Sequence, residues 1–279
     1  PWGNVGKADN RGFDASLNWT KQLTDDFSMS VRGTFTYIKN KLVYVDEPDY
    51  TYTWQTTAGW PLVSYRWVGY VADGLFKDQE DIDNSPEQNL GSQVMPGDIK
   101  YRDLNGDGKI TKEDRTLISD CGTAPKVQYG LGVYLKWKGF DLGMFFNGSA
   151  KRTILQSPMN PFGADTGSEW GAGERQLAKY IDQQRWTEAN PDPNAKYPRL
   201  GTLYTDVRNN LETSTYWLRD GSFIRFKTLE FGYTFPFCRL YFSADNLAVW
   251  SPFKLWDPEL SWNSFPLQRT FNIGLQFHF

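Results

Sequence analysis

The chain has 279 residues, 30 basic and 33 acidic, and a formal net charge of −3, so electrostatics gives no reason to expect a nucleic-acid partner. Aromatic residues reach 16% while mean hydropathy is −0.58, an unusual pairing for one soluble domain. No run approaches the roughly 18 consecutive apolar residues of a membrane helix, and none resembles a secretory leader.

A transmembrane strand needs only about 9 to 11 residues, apolar at alternate positions, so average hydropathy hides it. Periodicity must therefore decide. From Phe13 the run F-D-A-S-L-N-W-T puts Phe13, Ala15, Leu17 and Trp19 on one face and Asp14, Ser16, Asn18 and Thr20 on the other. That is the alternation of a half-wet strand. A polar link, K-Q-L-T-D-D, leads to a second run, in which Phe27, Met29, Val31, Phe35 and Tyr37 alternate with Ser28, Ser30, Arg32, Thr34 and Thr36. The two runs are predicted to form a hairpin. The stretch from Thr51 to Tyr70 has room for one more, which periodicity leaves open.

The next segment carries explicit chemistry. D-L-N-G-D-G-K-I-T-K-E-D has the spacing of an EF-hand-type calcium loop, with Asp103, Asn105, Asp107, Lys109 through its carbonyl, Thr111 and Asp114 at the oxygen-supplying positions. Gly108 sits where the loop must turn sharply. Hard Ca²⁺ asks for six to eight oxygens, which this spacing can supply. The departure is Asp114, where a longer Glu is usual; dockerin-like loops use Asp similarly. The preceding I-K-Y-R alternates like a strand, so a single calcium clip stiffening a loop is expected, with an Asn/Gly-rich turn that binds no metal as the alternative.

Alternation returns at Val127, with Tyr129, Leu131, Val133, Leu135 and Trp137 on its face, a tight Lys138-Gly139 turn, then Phe140, Leu142, Met144 and Phe146. A two-residue turn with Gly suits the twist of a hairpin. Leu229, Phe231, Tyr233 and Phe235 repeat the pattern, Pro236-Phe237-Cys238 turns the chain, and Leu240, Phe242 and Ala244 follow until the pattern falters at Asn246, as at a bulge or at the membrane's edge. The last run is Phe271, Ile273, Leu275, Phe277 and Phe279.

Short turns and long polar connections alternate, as in an outer-membrane barrel with short periplasmic turns and long extracellular loops. About seven strands, starting downward at Gly12, put every short turn on one side. Trp19, Tyr37, Trp137, Phe235 and Phe279 are predicted at strand ends, where amphipathic rings lie among lipid headgroups. Cys121 and Cys238 then fall at opposite ends of the barrel and are expected to be thiols. His278 is the single histidine, and neither a nucleophile relay nor a phosphate-cradling glycine loop can be assembled. The chain reads as non-enzymatic. Trp54, Trp60, Trp170 and Trp186 could stack on sugars or simply pack the loops.

Taken in order, G-F-D-A-S-L-N-W, P-G-D-I-K-Y-R-D-L-N-G-D-G-K-I-T, K-G-F-D-L, W-T-E-A-N-P, Y-P-R-L, W-L-R-D-G-S-F-I-R-F-K and S-A-D-N-L resemble the C-terminal part of SusC/RagA-type transporters across essentially the whole chain. The resemblance implies an all-β fold: an antiparallel transmembrane β-barrel segment of about seven to nine strands out of about 22. Residues 1–279 would be the C-terminal part of the TonB-dependent barrel domain, with the plug absent and extracellular loops at about 39–125, 150–222 and 250–268. The implied partners are a SusD-like surface lipoprotein, the TonB system through a missing N-terminal part, outer-membrane lipid, and an oligosaccharide or peptide ligand; the implied place is the bacterial outer membrane. The implied function is TonB-energised nutrient uptake, though a segment this short could not transport alone. Two other functions compete: a soluble glycan-binding β-domain with a dockerin-like calcium loop, and an adhesin barrel without transport.

Overall fold

The computed structural model describes residues 5–156, 179–201, 206–260 and 264–277. They form two units, one of residues 8–41, 121–154 and 220–279, the other of residues 1–7, 42–120 and 155–219.

The first unit is built on seven strands: β1 (Gly6–Thr24), β2 (Phe27–Val45), β3 (Val127–Trp137), β4 (Phe140–Ala150), β5 (Phe223–Thr234), β6 (Cys238–Trp250) and β7 (Thr270–Phe277). They lie in one sheet in chain order, β1 at one edge and β7 at the other, unclosed. Each pair from β2 to β7 is antiparallel. Turns of a few residues join β1 to β2, β3 to β4 and β5 to β6; long connections join the rest.

Register turns the alternation of single strands into two continuous faces. Met29, Leu135, Leu142, Phe231, Phe242 and Ile273 are successive cross-strand partners from β2 to β7. One residue along, the row is Ser30, Tyr134, Gly143, Glu230, Ser243 and Asn272. A slip of one residue in any pair would mix these rows, so the apolar face itself fixes the register.

The apolar side chains do not meet in a sealed core. Leu17 is 61% exposed, Phe231 47%, Leu275 59% and Ile273 80%, and Val133 is half-buried. An apolar surface this continuous is far larger than a soluble monomer presents to water. Hydrocarbon is the solvent that suits it.

Lys138 (φ 46°) and Gly139 (φ 88°) both take left-handed conformations, as a two-residue hairpin turn requires. Asn246 (φ 55°) marks a bulge, the first of the two readings its break in alternation offered: Phe226 pairs Ala248 but Thr228 pairs Asp245. On the neighbouring pair, Phe145 faces Thr228 and Phe146 faces Phe226, leaving Lys227 as the extra residue. Above it the rings of Phe146 and Phe226 stack at 4.6 Å, so the bulge re-phases β5 and keeps the faces consistent.

Two expectations change, and one point that periodicity left open is decided. The first hairpin turns at Asp25 and Asp26 alone, with Lys21–Thr24 still in β1. Both β1 and β2 run for 19 residues, so Trp19 and Tyr37 lie inside strands; Trp137 and Phe235 do sit at the turn end. The reason is that alternation is imposed by lipid, whereas hydrogen bonding carries a strand past the hydrocarbon, where both faces are wet. Finally, Thr51 to Tyr70 adds no barrel hairpin; it holds two 3₁₀ turns and the short strand Trp67–Gly69. His278 and Phe279 lie outside the described residues.

Glycine has a specific role on β4. At Gly148 a Cβ would fall within the Tyr129 ring and against the Phe223 carbonyl oxygen, to which the Tyr129 hydroxyl donates at 2.9 Å. Gly148→Val is expected to expel Tyr129 and cost about 1–3 kcal/mol. Loss of the compact electrophoretic form at a lower temperature than wild type would report it; an unchanged transition would mean the ring is not anchored there.

Candidate functional site

The polar face of the first unit is organised by charge and by gaps. Arg239 lies across Gly232, where a Cβ would strike its guanidinium, and pairs with Asp141 and Glu230. The Tyr241 ring lies across Gly274 in the same way, with Arg239 5.0 Å from its centroid. Glycine thus lets long side chains lie flat on the wall. Higher on β5, Arg225, 2% exposed, donates to both Asp257 carboxylate oxygens at 2.6 and 2.7 Å and to Glu259 at 2.9 Å, anchoring the β6–β7 connection. One nitrogen, Nη2, meets both Asp257 oxygens while Nε takes Glu259, so every contact is charge-assisted.

The second unit has a true core of Tyr70, Phe76, Ile99, Tyr101, Ile110, Val207 and Trp217, each 2% exposed or less. Buried polar groups knit it together. The Asn209 amide donates to the Ile99 carbonyl at 2.8 Å and accepts from Gln88 at 2.9 Å. The Asn210 amide donates to Asp98 at 2.7 Å and accepts from the Ile99 N–H at 2.8 Å. Asp98 also holds Arg199 at 2.7 Å. Sequence reasoning missed this network: its members lie more than 100 residues apart, and Asn-Asn by itself signals nothing but a turn.

The calcium-type loop belongs to this unit. Asp103 accepts the N–H groups of Gly106 (2.6 Å) and Gly108 (2.8 Å), Asn105 accepts from Asp107 N–H, and Asp107 from Lys109 N–H. The Gly108 N–H, with that of Gly106, holds the Asp103 carboxyl below its ordinary value against some desolvation, so it stays ionised. Gly108 has φ 80°, the left-handed turn expected of it. Glu87–Gln88 and Lys109–Ile110 pair as a two-residue parallel ladder, and Ile99–Tyr101 is the expected strand rather than a helix.

Asp114 behaves differently from a free ligand. It is fully buried, and its two oxygens accept the N–H groups of Leu104 (2.8 Å) and Thr111 (2.7 Å). The short carboxylate closes the loop through backbone, each oxygen keeping a lone pair. The donor set is entirely oxygen, which fits a hard cation, although among the described residues no three His, Cys, Asp or Glu side chains converge as a metal cluster.

The loop tryptophans are engaged within the protein. The Trp54 indole N–H donates to the Lys112 carbonyl at 2.6 Å, and its ring stacks on Tyr52 at 6.0 Å. Arg66 lies 5.2 Å from the Trp60 ring, while Trp186 is 6% exposed and occupies the space a Cβ on Gly97 would need. Trp170 lies outside the described residues. Cys121 and Cys238 are thiols, as expected.

A two-faced antiparallel wall, one face apolar and the other polar, with short turns alternating with long connections along the chain, defines a transmembrane β-barrel segment. Comparison with known proteins agrees. No family model matches. The chain is 27% identical over 99% of its length to TonB-dependent receptor P3 of Formosa agariphila, covering 29% of that protein. It is 23% identical, over 99% of its length, to TonB-dependent receptor SusC of Bacteroides thetaiotaomicron, covering 27%. Its fold matches the RagAB peptide transporter with a TM-score of 0.69 at 20% identity, over 98% of this chain and 30% of that one. Along its whole length the chain is thus similar in sequence to TonB-dependent receptors, SusC among them, and in fold to RagAB, and it spans under a third of the relatives it matches. These relatives are receptors and importers of the outer membrane, not enzymes.

Proposed function

We propose that the chain is the C-terminal part of the barrel, with its extracellular loops, of an outer-membrane nutrient importer. TonB energises uptake through a segment outside this chain, a SusD-like lipoprotein covers the loops, and the cargo is short peptides or oligosaccharides. The observation that carries this reading is the unbroken apolar row from Met29 to Ile273 beside a polar row from Ser30 to Asn272. Open edges at β1 and β7 would leave backbone groups unpaired in lipid at several kcal/mol each, so further strands must pair there. The same row argues against the soluble glycan-binding domain, and Trp54, Trp60 and Trp186, which such a domain would display, are engaged by neighbours within the chain. Deleting the gene in its host is expected to abolish growth on one class of oligosaccharide or peptide and to spare growth on free sugars and amino acids, as is disabling TonB. Normal growth of both strains on every polymer the parent uses would overturn the assignment.

We also infer that the loop from Asp103 to Asp114 takes Ca²⁺ and stiffens the extracellular side. An ionised Asp103 and exposed oxygens on Asn105 and Asp107 support this. Millimolar Ca²⁺ is expected to release or absorb heat in a calorimetric titration, the weak end being usual for extracellular modules. Asp103→Asn is expected to weaken binding at least tenfold. Because the folded Asp103 value is depressed, its contribution is present at neutral pH and is lost as pH falls through that value. A silent titration would refute the site.

A further inference from the structure

The second unit contains a cleft of about 690 Å³ whose lining includes Tyr52, Tyr70, Ile110, Lys112, Arg115 and Glu212. That volume is within the range of small-ligand pockets, roughly 300–1,000 Å³. Its charge is unusual at one residue. The Arg115 guanidinium sits 4.5 Å from the Trp54 ring centroid and 5.8 Å from that of Tyr70. Trp54 is in turn fixed by Tyr52 and by its bond to the Lys112 carbonyl. Yet the guanidinium donates no hydrogen bond within the described residues, and its Nε is buried without an acceptor.

A guanidinium held flat by aromatic rings has lost most of its rotamer freedom before any ligand arrives. Of its nitrogens only Nε is buried, so the two terminal amino groups are the donors that an incoming planar acceptor would meet. Glu212 lines the same cleft but forms no ion pair with Arg115. Burial pushes the Glu212 carboxyl up, and Arg115 and Lys112 only partly oppose that. The two residues therefore do not neutralise each other as a closed pair would.

We propose that Arg115 anchors the free carboxylate at the C-terminus of a short peptide bound in this cleft, with Lys112 adding positive charge. A carboxylate matches the fork of the guanidinium, and both of its oxygens can be held at once. A peptide fits better than an acidic sugar for two reasons. The rings nearest the anchor are already engaged with Arg115 and with each other, so they offer no ready platform to a sugar face. The cleft is also bordered by Glu87, Lys109 and Ile110, members of the two-residue ladder, to which no third strand is added among the described residues. Such an edge can bond an extended backbone. The biological sense of this inference rests on the uptake reading, but its test is binding alone, so growth results and binding results can fail separately.

The test is calorimetric titration of the receptor, purified in detergent at low ionic strength, with acetyl-trialanine and with the same peptide amidated at its C-terminus. The acid is expected to bind at least about tenfold more tightly than the amide. Arg115→Gln should erase that preference. Arg115→Lys, which keeps charge without the fork, should retain part of it, and hydrogen exchange of residues 42–120 should show that both variants keep their loops folded. Lys112→Gln should weaken the acid form two- to threefold. Equal binding of acid and amide, no heat from either at millimolar concentration, or an unchanged preference in a folded Arg115→Gln would overturn the proposal. A trigalacturonate that binds through Arg115 when the peptide does not would overturn the choice of a peptide.

Discussion

Ile273→Arg is expected to cripple assembly of the barrel, whereas Asn272→Arg, one residue away on the same strand, is expected to be tolerated. Ile273 is 80% exposed on the apolar row in the middle of β7, and Asn272 belongs to the polar row opposite. Placing an arginine on the lipid face costs roughly 2–4 kcal/mol at mid-membrane depth and little near the interfaces. In the wet lumen the same charge keeps its hydration. Phe231→Arg, two strands away on the same row, should behave like Ile273→Arg, and the pair should be at least additive in cost. Folding yield into lipid vesicles, read by resistance to unfolding in detergent at room temperature, measures the difference. If Ile273→Arg and Asn272→Arg fold equally well, the faces have been assigned the wrong way round and the membrane reading falls with them.

Asp98→Ala should loosen the loop unit without touching the barrel. Asp98 is fully buried and accepts from Arg199, from the Asn210 amide at 2.7 Å and from the Met95 N–H at 2.9 Å. Removing it strands a guanidinium whose side chain is 12% exposed, and breaking a buried pair in this way costs about 3–5 kcal/mol. Local opening of the unit should then become roughly two to four orders of magnitude more frequent. Amide exchange of Ile99–Tyr101 and of residues 207–211 reads that directly, while exchange in β3 and β4 should stay slow. Asp98→Asn, which keeps the shape and some of the acceptor capacity, should fall between wild type and Asp98→Ala. Unchanged exchange in Asp98→Ala would mean that water or a rearranged Arg199 takes over the role of the carboxylate.

These two experiments fall on opposite sides of what the sequence displays. The Ile273 and Asn272 contrast is readable in T-F-N-I-G-L-Q-F itself, because side chains two apart share a face and lipid penalises any lapse in the alternation. The Lys138-Gly139 turn and the bulge at Asn246 are readable for the same reason, being set by backbone freedom within a few residues. The outer reaches of β1 and β2 were not, since beyond the hydrocarbon nothing compels one face to be apolar. The calcium-type loop was recognised from its spacing, but the burial of Asp114 and its capture by Leu104 and Thr111 were not visible, because a motif records residue types and not how deep a side chain sits.

Arg115 illustrates the limit most sharply. In E-D-R-T-L-I it is an ordinary charged residue after an acidic pair, and its placement between Trp54 and Tyr70 depends on chain segments that approach from 45 or more residues away. By itself the sequence determined the strands, their faces, the short turns and therefore the solvent in which the wall can exist, all of which follow from interactions within a few residues. Tertiary structure decided how the long connections fold, which polar groups are buried together and which cation is left without an acceptor. Those outcomes are set by burial and by partners distant along the chain, and no local pattern encodes them.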